Sequence, residues 1–239
     1  VPCGMMVQVK VLENGKVVAE GKAINGEKVI VDMPKNVKLW SPDAPNLYDM
    51  VVSLTENGKV VDQVKSYVAM RKYTARRDKN GVMRMQLNGK DIFEFGPLDQ
   101  GWWPDGLYTA PSYEAMVYDI KKTKEWGFNM IRKHIKVEPA TWYNYCDKEG
   151  IIVWQDMPSG DYSKSQPWKY NDAFYGGDKS NRSAESEETY YKEWKDIIDN
   201  FRSYPCISVW VPFNEAWGQF KTDEVVKWTQ KYDPYHLVN

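Results

Sequence analysis

The sequence places an amide and a carboxylate side by side directly after an apolar run. Residues 207 to 211 are apolar except for Ser208, and Asn214 and Glu215 follow them. A carboxylic acid at the carboxyl end of a buried parallel strand can protonate a leaving-group oxygen, and as a carboxylate it can later activate water. Phe213 and Trp217 flank the pair and are candidates for apolar walls around the acid. Alternatively, Asn214 and Glu215 cap the following turn, and chain position alone does not separate these interpretations.

Other apolar runs end in polar or aromatic side chains that could reach the same place. Arg132 and His134 lie two residues apart on a predicted strand and therefore share one of its faces. Arg132 also fits a salt bridge in the mouth of a barrel, and His134 fits either a pocket wall or a hydrogen-bonded core position. The further candidates that follow predicted strands are Asp99, Trp102, Trp103 and Asp156. The tryptophans fit either a platform for a sugar ring or the apolar anchor of a lid.

Alternating apolar strands and amphipathic helices after residue 91 predict the elements that position these side chains. The predicted strands are 92–95, 129–134, 151–155 and 207–213, with a further strand starting at 237–238. The predicted helices are 112–126, 139–150, 185–201 and 222–232. Residues 158–183 are too long for a simple turn and predict an excursion over one barrel end. The pattern indicates the first half of a (β/α)8 barrel.

Short strands and turns before residue 76 predict a β-sandwich module. Asn14-Gly15 and Asn57-Gly58 suit tight hairpin turns, whereas Pro42 and Pro45 interrupt any central strand between the hairpins. We expect an Ig-like β-sandwich over residues 1–75, incomplete at its N-terminus, and the half barrel over residues 76–239. The charged residues 71–79 are interpreted as a linker that precedes another hairpin turn at Asn88-Gly89.

Composition argues against several classes of partner. The chain of 239 residues has 32 Lys plus Arg and 33 Asp plus Glu, so its formal net charge of −1 gives no field that attracts nucleic acid or a membrane surface. No apolar run is long enough for a membrane span, and we expect a soluble chain whose compartment stays open. The three cysteines have no metal or redox spacing and are expected to be buried apolar residues. We expect neither a cofactor nor a metal.

Four segments together resemble the barrel of glycoside hydrolase family 2, the β-galactosidase and β-glucuronidase family. They are QGWWPDGLYTAPS (100–112), GFNMIRKHIKVEP (127–139), VWQDMPS (153–159) and WVPFNEAWGQF (210–220), while LWSPDAPNLY resembles the end of the family's Ig-like domain. The resemblance implies retaining hydrolysis of terminal β-glycosides, with Glu215 as general acid/base and Asn214 bound to the sugar 2-hydroxyl. It also implies that Arg132 supports the nucleophile and that His134 lines the sugar pocket.

The resemblance also limits what the sequence predicts. Residues 97–100 read Pro-Leu-Asp-Gln where many family members have Asn-Arg-His-Glu-like residues, so the sugar stays open among β-galactoside, β-glucuronide and β-mannoside. The family's nucleophile lies on a later strand, and we therefore expect a fragment that is inactive alone. Its open barrel edges predict self-association. The alternative function is a non-catalytic carbohydrate-binding or structural module, and an adhesion protein ranks last.

Overall fold

The computed structural model describes residues 5–160, 182–215 and 218–239. The chain divides into two compact units, the first ending at Arg71 and the second beginning at Lys72. Each unit has its own sheet and core, and the candidate site residues all lie in the second.

The first unit is built on a four-stranded antiparallel sheet with the order β2-β1-β5-β6. The unit has six strands, of which the second pair forms a separate two-stranded ladder: β1 (Met6–Glu13), β2 (Lys16–Ile24), β3 (Trp40–Ser41), β4 (Ala44–Pro45), β5 (Tyr48–Glu56) and β6 (Lys59–Val68). Positive φ angles at Asn14 (49°) and Gly15 (77°), repeated at Asn57 and Gly58, turn the β1-β2 and β5-β6 hairpins. Because both central residues of a type I′ turn need positive φ, the two predicted hairpins are confirmed.

Apolar residues on one side of this sheet pack against the segment that follows β2. Val11, Ala19 and Tyr48 form the buried cluster, and Val31 and Met33 are among the residues that pack on it. A Cβ atom at residue 21, a glycine, would lie only 2.2 Å from the carbonyl oxygen of Ile30. The missing side chain therefore allows the segment to approach the sheet closely. As the prolines predicted, no continuous strand forms at 39–45: the region has the short ladder of β3 and β4 and an isolated bridge from Leu39 to Met70.

A three-stranded antiparallel sheet begins the second unit where we predicted a linker. Its strands are β7 (Tyr73–Arg77), β8 (Met83–Leu87) and β9 (Lys90–Asp91). Residues 71–79 are therefore not all linker, because β7 pairs with β8 along its whole length. The hydroxyl of Tyr73, a buried residue, donates to the carbonyl oxygen of Pro205 at 3.3 Å. The charged, exposed residues at one end of β7 led us to predict a linker, although the other end of the strand is buried.

The rest of the second unit is a five-stranded parallel sheet whose strand order follows the sequence. The strands are β10 (Leu98–Asp99), β11 (Met130–Lys133), β12 (Ile152–Asp156), β13 (Ile207–Val211) and β14 (Leu237–Val238). The helices are α1 (Tyr113–Glu125), α2 (Ala140–Glu149), α3 (Ala184–Phe201) and α4 (Thr222–Tyr232). Repeated strand-helix units with parallel neighbours are the construction of a (β/α)8 barrel, which confirms the predicted fold class. The predicted excursion over 158–183 lies almost wholly outside the described residues.

The first parallel strand lies later in the chain than predicted. We expected it at residues 92–95, but it forms at β10. Pro97 lacks a backbone donor, and a Cβ at residue 96 would lie 1.7 Å from the carbonyl oxygen of Met130. The side chain of Asn129 holds the preceding stretch instead, accepting from the amide of Phe95 at 2.8 Å and donating to the carbonyl of Phe93 at 2.9 Å. Side-chain bonds thus replace a regular ladder there.

Local signals at the helix ends account for the helix boundaries. The Ser112 side chain accepts from the amide of Ala115 at 3.1 Å at the start of α1, and Gly150 ends α2 with a φ of 72°. Pro139, predicted inside the first turn of α2, lies one residue earlier as its N-cap. Cys146 and Cys206 are buried, as predicted. None of the helices in the described ranges is long and apolar enough to span a membrane.

Candidate active site

Three of the predicted site residues meet at the carboxyl ends of β11, β12 and β13. The Arg132 guanidinium donates from Nε to Oδ1 of Asp156 at 3.0 Å and from Nη2 to Oδ2 at 2.9 Å. The same Nη2 donates to Oδ1 of Asn214 at 3.1 Å. Arg132 lies opposite Trp154 in the parallel register, and Asp156, two residues further, shares that face. Strand alternation therefore brings together residues that are 24 and 82 positions apart in the chain.

Asp156 acts as the fixed acceptor of this group. It is completely buried, and its Oδ2 also accepts from the backbone amide of Ile135 at 3.3 Å. Burial raises the pKa of the Asp156 carboxyl, and the two hydrogen bonds from Arg132 oppose that rise. A bidentate pair fixes the plane of the guanidinium, and the guanidinium in turn orients the Asn214 amide. Within the described ranges, no group of three or more His, Cys, Asp and Glu is arranged to hold a metal.

Backbone strain accompanies the bond from Ile135. Its φ is 52°, a left-handed value that a β-branched side chain rarely adopts. The residue directly follows His134, and both line the same pocket. Strained residues persist where the surroundings fix them, and here the Asp156 carboxylate binds the Ile135 amide. The loop after β11 is therefore held in a specific conformation beside the site.

Glu215 follows Asn214 at this end of β13. Asn214 is buried, whereas Glu215 is exposed. Phe213, predicted as a wall beside the acid, instead packs inward, with its ring 5.2 Å from that of Tyr190. Trp217, the other predicted wall and a predicted binding residue, lies outside the described residues. The structure thus shows Glu215 as an exposed residue next to Asn214 in the chain, and its role as the acid stays a prediction.

An open pocket of about 470 Å³ lies beside this group of residues. Its walls come from three connections that follow strands of the parallel sheet, together with Asn214. The lining residues are Gln100, Trp102, Tyr108, His134, Ile135, Gly160 and Asn214. His134 thus lines this pocket, one of the two locations that the sequence allowed, and its part in sugar binding stays a prediction.

Four predicted binding residues, Arg132, Asp156, Asp99 and Trp103, are not among the described residues that line this pocket. Arg132 and Asp156 are linked to it through the bond from Arg132 to Asn214. Asp99 pairs in register with Lys133, so it faces away from Arg132, and its Oδ2 accepts from the Lys133 Nζ at 2.9 Å. Trp103 is half-buried, and its backbone is hydrogen-bonded to Leu107 across a tight turn. Trp102 lines the pocket in its place. Asp99 and Trp103 do not line the pocket among the described residues, and their part in binding stays a prediction.

Behind the pocket wall lies a buried charge network that the sequence analysis missed. Lys133 contacts both Asp99 and Glu138, and Lys136 contacts Glu138 at 2.9 Å. Lys133, Lys136 and Glu138 are 1%, 3% and 7% exposed. The charged residues in the stretch 133–138 are typical of a solvent-exposed loop. Only their position at the end of a buried strand could have indicated that they are buried. These four residues, Asp99, Lys133, Lys136 and Glu138, form the lysine network.

A further missed carboxyl lies on the same face of the sheet as Arg132. Glu94 accepts hydrogen bonds from the indole Nε1 of Trp154 and from the Ser208 hydroxyl, the latter at 3.0 Å. Its other oxygen, Oε1, is buried and has no hydrogen-bond partner among the described residues. Burial raises the pKa of Glu94, because neither of its partners carries a positive charge.

Comparison with protein families identifies both units. Residues 6–71 match the description "Glycosyl hydrolases family 2", and residues 84–239 match "Glycosyl hydrolases family 2, TIM barrel domain". The second match alone covers more than half of the chain, and the two occur in the order that the sequence predicted.

The individual relatives share little more than a quarter of their residues with this chain and are much longer than it. A putative beta-glucuronidase of Formosa agariphila is 27% identical over 98% of this chain and 21% of its own length. A beta-galactosidase of Psychromonas ingrahamii is 28% identical over 87% of this chain and 18% of its own length. The chain thus spans about a fifth of these curated relatives.

Solved structures show the same fold. A beta-glycosidase from Bacteroides vulgatus superposes with a TM-score of 0.78 at 24% identity, covering 98% of this chain and 29% of that one. A beta-D-glucuronidase from Dictyoglomus thermophilum superposes with a TM-score of 0.81 at 20% identity, covering 98% of this chain and 39% of that one. The family itself follows from the two family matches: the chain belongs to family 2 of the glycosyl hydrolases.

Proposed function

We propose that this chain supplies the acid/base half of the active site of a retaining β-glycosidase. The observation that carries the proposal is the bond from Arg132 to Asn214, which fixes the residue next to Glu215 at the pocket wall. In this proposal Glu215 protonates the oxygen of the leaving group and, as a carboxylate, activates the water that completes hydrolysis.

Asn214 is proposed to bind the sugar 2-hydroxyl. Its Oδ1 accepts from Arg132, so its Nδ2 group is left to donate to a substrate oxygen. Hydrogen bonds at the 2-hydroxyl strengthen in the oxocarbenium-like transition state and therefore accelerate the chemical step. The relatives are named for β-galactosides and β-glucuronides, and the proposed substrate class is accordingly a terminal β-glycoside.

The second carboxylate of a retaining pair is proposed to lie outside this chain. Retention requires two carboxyl groups about 5 to 5.5 Å apart, one of which attacks the sugar. Asp156 is completely buried and ion-paired with Arg132, so it is a poor nucleophile. Since the relatives are several times longer, we propose that the chain acts within a longer polypeptide, called here the complete enzyme. The 239-residue chain alone is expected to hydrolyse no β-glycoside.

Self-association of the isolated chain is proposed from its apolar edge. Phe93 is 81% exposed, and Phe95 and Leu98 are also exposed at the β10 edge of the parallel sheet. Exposed apolar groups beside unpaired backbone favour pairing with a second copy. Sedimentation of the 239-residue chain should therefore reveal dimers or larger species, and a monomer at micromolar concentration would contradict this proposal.

Azide rescue tests the role of Glu215. The complete enzyme and its Glu215→Gln variant are assayed on a panel of aryl β-glycosides with good leaving groups, with and without azide. We expect the variant to lose at least about 10²-fold in kcat with water as acceptor, because general base catalysis is removed. Azide needs no general base and should restore part of the rate. Glu188→Gln, an exposed carboxylate on α3, is the matched control.

The outcomes separate the enzyme from the alternative function. Equal activity of Glu215→Gln and the parent would refute the acid/base assignment. Saturable oligosaccharide binding without turnover by both proteins would instead support a carbohydrate-binding module. The sugar that the parent hydrolyses fastest identifies the substrate.

A further inference from the structure

Two exposed aromatic side chains line the pocket. Trp102 is 57% exposed and Tyr108 is 47% exposed, and both line the pocket that Asn214 also lines. Their ring centroids are 4.3 Å apart with an interplanar angle of 82°. An edge-to-face pair fixes the orientation of both rings, yet roughly half of each side chain stays accessible. Exposed apolar rings of this size in a concave wall indicate a binding surface rather than packing.

The connection that carries these rings is anchored by buried charges. The carbonyl oxygen of Gly101 accepts from the Lys136 Nζ at 2.8 Å, and its amide donates to Oδ1 of Asp99 at 2.8 Å. Gly101 has a φ of 66°, and a Cβ there would lie 2.4 Å from the Lys133 Nζ. The lysine network therefore fixes both backbone polar groups of the residue that precedes Trp102.

Lys136 connects the anchor to the second ring. Its Nζ lies 5.1 Å from the centroid of the Tyr108 ring, within the range of a cation-π contact. Because Lys136 is almost fully buried, this contact is not weakened by solvent. Both ends of the 101–108 connection are thus held by one network, and the aromatic pair is preorganised rather than mobile.

We propose that Trp102 and Tyr108 form an outer subsite that binds the ring on the leaving-group side of the scissile bond. This inference rests on the proposed function, in which Asn214 binds the terminal sugar and Glu215 protonates the oxygen of the leaving group. The ligand class is a pyranose or comparable ring with an apolar C–H face, which matches an aromatic surface. Glu138, which lies behind the wall and bonds to both lysines, is assigned as a positioning residue for the subsite.

The test compares a substrate that fills the outer subsite with one that does not. The complete enzyme is assayed on a β-linked disaccharide and on the β-glycosyl fluoride of the same terminal sugar, whose leaving group has no ring. For Trp102→Ala, the ratio of kcat/KM on the disaccharide to that on the fluoride should fall about tenfold, with most of the change in KM. Trp102→Phe should recover most of the ratio, because it restores an aromatic face. Glu138→Gln should lower the ratio by a smaller factor.

Controls make each outcome decisive. Trp126→Ala removes an exposed tryptophan that lies outside this pocket and should leave the ratio unchanged. An unchanged ratio in Trp102→Ala, an equal loss on both substrates, or no recovery in Trp102→Phe would overturn the subsite. If Trp102→Ala does not fold, Tyr108→Ala tests the same surface by the same ratio.

A failure of the proposed function remains distinguishable from a failure of the subsite. If the parent hydrolyses neither substrate, calorimetric titration with the disaccharide replaces the kinetic assay. Weaker binding by Trp102→Ala than by the parent would then support the subsite without catalysis. Equal binding, or none by either protein, would overturn it.

Discussion

Two consecutive residues of β11 carry positive charges to opposite faces of the parallel sheet. Arg132 meets Asp156 and Asn214 on the face that leads to the pocket, whereas Lys133 meets Asp99 and Glu138 on the opposite face. The Arg132 side chain is 23% exposed, and that of Lys133 is 1% exposed. The same strand thus bears one ion pair beside the pocket and another, from Lys133 to Glu138, that is sealed, with side chains only 1% and 7% exposed.

The two pairs differ in what their burial contributes. An ion pair at a pocket wall can orient groups that face the pocket, and Arg132 bonds to Asn214, which lines it. A sealed pair cannot touch a ligand, and burying charges costs free energy that hydrogen bonds must offset. The lysine network instead fixes the backbone of Gly101, and hence the wall. The comparison indicates that one face presents chemical groups and the other maintains their position.

Removing the central carboxylate of the sealed network should produce the largest effect. Glu138→Gln leaves Lys136 buried with no carboxylate partner among the described residues. Loss of one partner of a buried pair costs about 3–5 kcal/mol, so we expect a clearly lower midpoint for thermal inactivation of the complete enzyme. Glu188→Gln, on an exposed face of α3, should leave that midpoint unchanged. If Glu138→Gln has the same midpoint as the parent, the lysine network does not stabilise the fold.

A smaller effect, on activity, is expected on the pocket face. Arg132→Lys keeps the charge, but an ammonium group cannot reproduce the planar fork that joins Asp156 to Asn214. With the Asn214 amide no longer oriented, kcat/KM of the complete enzyme should fall about 10²-fold, equivalent to about 2.7 kcal/mol. Arg202→Lys at the exposed end of α3 is the matched control. Activity within about threefold of the parent would show that Asn214 does not depend on Arg132.

The sequence predicted much of the fold because its signals are local. Asn-Gly pairs fixed the hairpins, and Ser112 and Gly150 marked helix ends through their own backbone geometry. The prediction failed where tertiary contacts decide the outcome. The 71–79 segment forms a strand through pairing with β8, and the first parallel strand is displaced by contacts with Asn129 and Met130.

The candidate site was predictable to a similar extent. Strand periodicity brought Arg132 and Asp156 to one face, and their bond confirms that they are neighbours. The same periodicity, applied in register to β10 and β11, would have separated Asp99 from Arg132. The register depends on where β10 begins, and it could not be predicted because we placed the first parallel strand at residues 92–95. The burial of Lys133 and Lys136 depends on packing against distant residues, which no local pattern encodes.

The smallest expected effect concerns Glu94, which has buried hydrogen bonds but no cation. Because burial raises its pKa above the ordinary value of 4.5, the folded protein holds the proton more tightly than the unfolded chain does. This contribution to stability is complete below about pH 4.5, is lost as pH rises through the folded-state pKa, and is then constant. Glu94→Gln removes the titration and keeps an amide oxygen as acceptor for Trp154 and Ser208. Above about pH 4.5, the inactivation midpoint of the parent relative to that of the Glu94→Gln variant should therefore decrease as the pH rises, whereas Glu193→Gln, an exposed control, should show no such trend. If the difference in midpoint between the parent and Glu94→Gln does not change with pH, a positive charge near Glu94 must offset the effect of burial. The pocket face would then contain a compensated buried carboxylate, as the sealed face does.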